Sequence, residues 1–230
     1  MDGRADRRLG TWVVVAGAGA CLVAPLLGLA WFRTRDGAEA LAGPTVAWWA
    51  EPAGRWAGRL LTFAPPERVY ATYLQALALL FPAVLVAVLV ARRRRTPRSR
   101  TERAAWAVLL AGCVLGQAGI GLVALALVGG DAGAPLVDVG FIALMLPGTL
   151  LQLVGSTLLG PCLLRAGWRP RSTAWALTLT LPCFLAGSVL SGHNGIGQLV
   201  VFLAWAAYGR HLLRPATAGQ GRPLVADVTR

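Results

Sequence analysis

Apolar residues in this chain fall in long unbroken runs, without the alternation of a half-buried strand or the period of about 3.6 of a surface helix. Six runs, near 9–32, 71–91, 104–129, 137–164, 173–190 and 196–213, approach or exceed the ~20 residues that cross about 30 Å of hydrocarbon. Charge enters them only at the edges, as Asp138 where the fourth begins and Arg210 beside His211 where the sixth ends. Backbone groups in lipid need internal partners, and barrel strands would alternate, so continuous apolarity predicts helices. The expected fold class is all-α: a polytopic integral membrane protein, with a bundle of six transmembrane helices over 9–214. A short segment at 1–8 precedes the bundle, and a tail at 215–230 without an apolar stripe is expected to be disordered.

The first two runs are separated by the longest polar stretch, 33–70. Within it TVAWWAEPAGRWAGRLLTF, Thr45 to Phe63, places Trp49, Trp56, Leu60 and Phe63 on one helical face, with Arg55 and Arg59 elsewhere. This predicts a short amphipathic helix lying in the outer interface, broken near Pro52 and Gly54. The alternative reading is a lid or a docking surface.

Composition agrees with the pattern: 56% of 230 residues are hydrophobic, 14% are charged and the mean hydropathy is +0.61, whereas a soluble domain carries about a quarter charged residues. Charge placement then sets an orientation. All 22 basic residues are arginine, and 17 of them fall on one side of a six-span topology: before the first span, between Arg92 and Arg103, between Arg165 and Arg171, and from Arg210 onward. The positive-inside rule makes that side the cytoplasm and puts both termini there. The other five arginines share the 33–70 segment with four acids. The opening Arg4, Arg7 and Arg8 could begin a signal peptide, but the apolar run after them exceeds the usual h-region of about 7–15 residues, so it is expected to be a retained span. The lack of lysine fits a GC-rich bacterial genome and hence a bacterial cell membrane.

Candidate chemistry is sparse. Cys21, Cys113, Cys162 and Cys183 all fall in spans, with no C-x-x-C pair and no histidine at metal-ligand spacing, so neither a metal nor a cofactor is expected. The stretch LSGHNG, 190–195, contains one of only two histidines. Its Ser191-Gly192-His193 resembles a fragment of the membrane phosphatidic-acid phosphatase family, whose members use such a segment to bind phosphate. That family also needs an upstream lysine and a second histidine nearby. This chain has no lysine, and His211 lies about 27 Å further along a helix at about 1.5 Å per residue. The segment is therefore expected to be a tight turn with an exposed His193, Gly192 and Gly195 supplying backbone freedom and Ser191 capping the next helix. A ligand-binding or pH-sensing role for His193, with Gln198 as its nearest polar neighbour, is the alternative. No catalytic residues are assigned.

ARRRRTPRSRTER, 91–103, is expected to set topology and to rest on anionic lipid headgroups through Arg92, Arg93, Arg94, Arg95, Arg98 and Arg100. It has no aromatic residue to stack a base, which argues against nucleic acid. Within the spans, Gln117 and Gln152 are positioned to meet at one depth, either as a hydrogen-bonded pair or as ligand-binding residues of a small polar pocket for a neutral or zwitterionic molecule, and Gly112, Gly116 and Gly119 form a small-residue stripe against which another helix, or a membrane-protein partner, can pack closely. Pro25, Pro82, Pro147 and Pro182 interrupt four spans. The function expected is that of a non-catalytic membrane component or partner subunit; the alternative is a small permease or the membrane subunit of an ATP-driven transporter. Ion-coupled transport is disfavoured because no span buries an acid or base.

The arginine asymmetry is checked by single-cysteine labelling of intact cells: a probe at Ser99 should be protected and one at Ala132 should react. The reverse pattern would invert the topology.

Overall fold

The computed structural model describes residues 3–41, 43–127 and 133–214. The expectation for the tail at 215–230 and the labelling site at Ala132 lie outside the described residues. The helices are α1 (Gly3–Trp31), α2 (Arg35–Leu41), α3 (Pro44–Trp56), α4 (Pro66–Arg93), α5 (Arg100–Ala126), α6 (Ala134–Asp138), α7 (Leu146–Arg165), α8 (Arg171–Thr178), α9 (Thr180–Ser191), α10 (Asn194–Gly197) and α11 (Leu199–Leu213). A π-helical stretch, Val139–Met145, joins α6 to α7. No strand occurs among the described residues. Five helical segments are long and apolar enough to span a membrane, and α8 with α9, bent by 58°, makes a sixth. The protein is an all-α polytopic membrane protein.

The spans close into a ring. α1 packs on α4, α4 on α5, α5 on α7, α7 on α8, α8 on α11, and α11 returns to α1. Ala20, Ala87, Trp106, Leu159, Leu177 and Phe202 lie among the buried residues inside it. The α5–α7 seam is the closest approach. A Cβ at Gly112 would come within 2.8 Å of the Gln152 Cα, one at Gly148 within 2.7 Å of the Gly116 Cα, and one at Gly119 within 2.7 Å of the Met145 Cα. The stripe Gly112, Gly116, Gly119 is thus covered by the chain's own fourth span, Gly112 and Gly116 by α7 and Gly119 by the π-helical stretch before it. This corrects its assignment to a partner protein, because no surface remains there.

Each departure from regular helix has a local cause. Pro147 has no N–H and its ring crowds the carbonyl four residues back; the preceding stretch widens into π register, with the Leu146 N–H donating to the carbonyl of Phe141. Between α8 and α9 the Thr178 and Thr180 hydroxyls donate back to the carbonyls of Ala174 (2.9 Å) and Ala176 (3.1 Å), and Pro182 follows. Back-bonding of this kind bends helices. The Leu181 N–H finds the Thr157 Oγ1 of α7 at 3.2 Å.

At the arginine-rich end four guanidinium groups of the 92–103 loop, those of Arg92, Arg94, Arg95 and Arg98, are engaged within the chain. Arg94 pairs with Asp6, joining α4 to α1, and Arg95 pairs with the buried Glu102. Glu102 also accepts from the Arg98 N–H at 3.0 Å, while Ser99 caps α5 by accepting from the Glu102 N–H at 3.0 Å. Arg92 donates to the Arg95 carbonyl and Arg98 to that of Ala166. Arg93 and Arg100 are exposed.

At the opposite end α3 runs through Pro52 without a break and is followed by a 3-10 turn, Gly58–Leu61. Trp48, Trp56, Leu60 and Phe63 are exposed, as an interfacial helix requires. Trp49 belongs to the other side. Its indole N–H donates to the Leu190 carbonyl at 3.1 Å and its ring meets Phe32 edge-on, which fixes α3 over α9 and corrects its expected place on the lipid face.

Gly148→Val should lower the thermal unfolding midpoint in detergent micelles sharply, by the overpacking cost of at least about 1–3 kcal/mol. Gly54→Ala, where a Cβ meets nothing within 4 Å, should leave the midpoint unchanged or slightly raised. Equal midpoints for the two variants would mean that the seam is not tight.

Candidate ligand cavity at the arginine-poor end

The turn after α9 is built around its histidine. Gly192, with φ of 65°, ends α9 in the left-handed region, and any side chain there would also strike Val46. The Ser191 hydroxyl donates to the His193 carbonyl at 3.0 Å and accepts from the His193 N–H at 3.3 Å. His193, not Ser191, caps the next helix: its Nδ1 accepts from the Gly195 N–H at 3.0 Å. An Nδ1 that accepts leaves the neutral ring's proton on Nε2.

The imidazole is not exposed as the sequence predicts. It is partly buried between Trp31, at 5.4 Å between ring centroids, and Tyr70, edge-on at 6.2 Å. Trp31 ends the first span and Tyr70 begins the second, so closure of the ring brings both over the turn. Burial lowers the His193 pKa from 6.5 to about 4, which keeps the ring neutral.

Beneath these three rings lies a cavity of about 350 Å³ to which all six spans contribute. This is within the usual range of small-molecule sites, about 300–1,000 Å³. Leu74, Phe81, Ile120, Leu153 and Phe184 make much of its apolar wall. The polar part comes from His193, Asn194, Thr149, Gln152 and Gln198. Gln198 reaches the Thr149 hydroxyl only at 3.5 Å, and its Oε1 has no partner; Gln152 is 2% exposed and its Nε2 has none either. Both residues line the cavity, while the two unpaired atoms are themselves buried, with under 1 Å² of accessible surface each. No charged residue lines it among the described residues, and no group of His, Cys, Asp or Glu among them could hold a metal.

Gln152, His193 and Gln198, separate candidates in the sequence, come together here. Gln117 does not. Its Nε2 points to the Ala78 carbonyl of α4 at 3.5 Å, and no bond joins it to Gln152. Gly116 faces α7, and the next residue on a helix is rotated by about 100°, which turns Gln117 away from α7. The expected glutamine pair is corrected on that ground. Trp31, Tyr70 and Thr149 were missed, because only the ring closure identifies them. Comparison with protein-family models, curated proteins and solved structures finds no match.

The buried neutral imidazole carries a pH dependence. Its folded pKa lies below the unfolded value, so the unfolded chain takes up the proton first as pH falls; stability is complete above about pH 6.5 and declines toward pH 4. Between pH 7.5 and 4.5 the wild type should therefore lose on the order of 2 kcal/mol more than His193→Asn. Asn keeps a capping acceptor for Gly195 without titrating. Parallel unfolding curves across that range would show that the imidazole is not desolvated.

Proposed function

We propose that this protein is a non-catalytic, ligand-binding component of a bacterial cell membrane. Both termini and the arginine loops face the cytoplasm, and the cavity faces the outer side and takes up a small uncharged molecule. The observation that carries this reading is the cavity itself, about 350 Å³ in volume, with an apolar wall, the polar residues Thr149, Gln152, His193, Asn194 and Gln198 in its lining and no charged residue among the described residues that line it. Polar groups in an otherwise apolar lining favour an occupant that can hydrogen-bond over a purely apolar filling. A charged occupant would find no counter-ion. A role without catalysis is supported by the turn chemistry. The one basic lone pair of the His193 ring is held by the Gly195 N–H, and the Ser191 hydroxyl is bonded to the His193 backbone. Arg93 and Arg100 remain the arginines best placed for anionic headgroups.

One observation favours a second reading, a small permease or the membrane subunit of an ATP-driven transporter. Phe81, in the cavity wall, meets Phe202 edge-on at 4.9 Å, and Trp205 is fully buried a turn further along α11. Such a plug is what one side of an access cycle requires. Flux of the bound ligand into proteoliposomes would favour this reading, and binding without flux the first.

Hexanamide should raise the thermal midpoint of the purified protein, whereas hexanoate and hexylammonium should not. Gln152→Leu or Gln198→Leu should weaken the hexanamide response by about tenfold in concentration. A response to all three compounds, or one that survives both substitutions, would exclude the amide pair as a binding site.

A further inference from the structure

A second pocket, about 330 Å³ in volume, lies at the arginine-poor end and shares no residue with the first. It is lined by the last turn of α1 and the residues just after it, by α2 and α3, and by the 3-10 turn that follows α3. Leu29, Phe32, Ala50 and Leu61, buried members of a second apolar cluster, supply apolar lining. Arg33, Glu51 and Arg55 line it too, and all three are exposed.

These three charges are not spent on one another. The ion pairs among the described residues, Arg94 with Asp6 and Arg95 with Glu102, lie at the opposite end. Arg33 donates from its guanidinium to the Leu61 carbonyl at 2.9 Å, a neutral partner that holds the group at the pocket and leaves its charge unopposed. The backbone is held as well: the Arg33 N–H donates to the Ala30 carbonyl at 3.1 Å, and the Thr34 hydroxyl closes the turn between the Trp31 carbonyl and the Gly37 N–H. Glu51 and Arg55 stand one turn apart on α3, hence on one face. An exposed pair of that kind contributes little, and here the two do not pair.

The depth is that of lipid headgroups. Arg33 follows the end of the first span, and Trp48 and Trp56, on the same helix as Glu51 and Arg55, are 72% and 86% exposed, as tryptophans at a membrane interface are.

We propose that this pocket takes the headgroup of a zwitterionic phospholipid, with the phosphate between Arg33 and Arg55 and a primary ammonium beside Glu51. A diester phosphate shares a single negative charge between its free oxygens, which can accept from both guanidinium groups. The ammonium gives Glu51 a donor. Each charge of the lining thereby meets its opposite, whereas an anionic headgroup would bring Glu51 a second negative group, and the trimethylated ammonium of choline has no N–H to donate. The apolar lining suits the first methylenes of the acyl chains, which a water-soluble phosphate ester lacks. This site and the uncharged cavity stand independently of one another.

The test uses the whole protein in dodecylmaltoside micelles, with dioleoyl phosphatidylethanolamine, phosphatidylcholine and phosphatidylglycerol added in turn and the thermal midpoint as the readout. The ethanolamine lipid should stabilise the protein at a mole fraction about tenfold lower than either of the others. Glu51→Gln should abolish that preference, and Arg55→Gln should weaken the response to all three. Neither side chain is ion-paired among the described residues, so both variants should keep the wild-type midpoint without lipid. Gly54→Leu is a further variant: the position lines the pocket and a Cβ there meets nothing within 4 Å, so the leucine should occupy the pocket, leave the lipid-free midpoint in place and remove the response. Equal responses to the three lipids, or a preference that survives both Glu51→Gln and Gly54→Leu, would overturn the proposal. Glycerophosphoethanolamine, the same headgroup without acyl chains, should have no effect at equal concentration; a response equal to that of the lipid would overturn the membrane as the source of the ligand.

Discussion

The constraint on which this structure turns is that no backbone amide in hydrocarbon can be left without a partner. A chain of six straight helices would meet it and would have no interior to speak of. Among the described residues the helices depart from regularity at several places, and at three of them a freed group is answered by a named one: the Leu146 N–H by the Phe141 carbonyl, the Leu181 N–H by the Thr157 hydroxyl, and the Gly195 N–H by the His193 imidazole. The first and third of these border the cavity. The second bends α9 away from the direction of α8. Irregular backbone at membrane depth is tolerated where it is buried in protein or lines a space, and that is where it occurs.

Small residues make the rest possible. With glycine on both sides of the α5–α7 seam, backbone meets backbone, and α7 is held by that contact strongly enough that the π-helical stretch before it needs no second neighbour. A leucine-lined seam would hold the two helices further apart and would require another span against the free flank of α7 to bury as much surface. Gly192 works differently. There the backbone angle itself requires glycine, and Val46 of α3 occupies the space a side chain would take.

The spans were legible in the sequence because hydrocarbon thickness sets a length and continuous apolarity marks it. The interfacial helix was legible from its tryptophans, though not the inward turn of Trp49, which depends on a carbonyl at Leu190, 141 residues away. The glycine stripe was legible as a close-packing surface, but which helix covers it is a tertiary fact. Gln152, Gln198 and His193 were individually visible as polar residues in apolar surroundings. Their meeting was not, because it requires α7 to face α10 across the ring, and no local pattern encodes who faces whom. Gln117 shows the same limit from the other side. Depth along neighbouring spans placed it beside Gln152, and one residue of helical rotation took it to α4.

Glutamine is an informative choice for such a site. A buried carboxylate or guanidinium at that depth would demand a counter-ion or shift its ionisation, and it would fix the ligand's charge. An amide demands less and says more about shape, since it presents a donor and an acceptor at fixed positions on one rigid group. Thr149 and Gln152 are separated by three residues on α7, hence neighbours on one helix face, and Gln198 reaches toward Thr149 from across the cavity. No hydrogen bond joins the two glutamines, and each keeps one unpaired amide atom. The neutral His193 keeps charge out of the rim as well. It offers an N–H, not a charge, to whatever arrives.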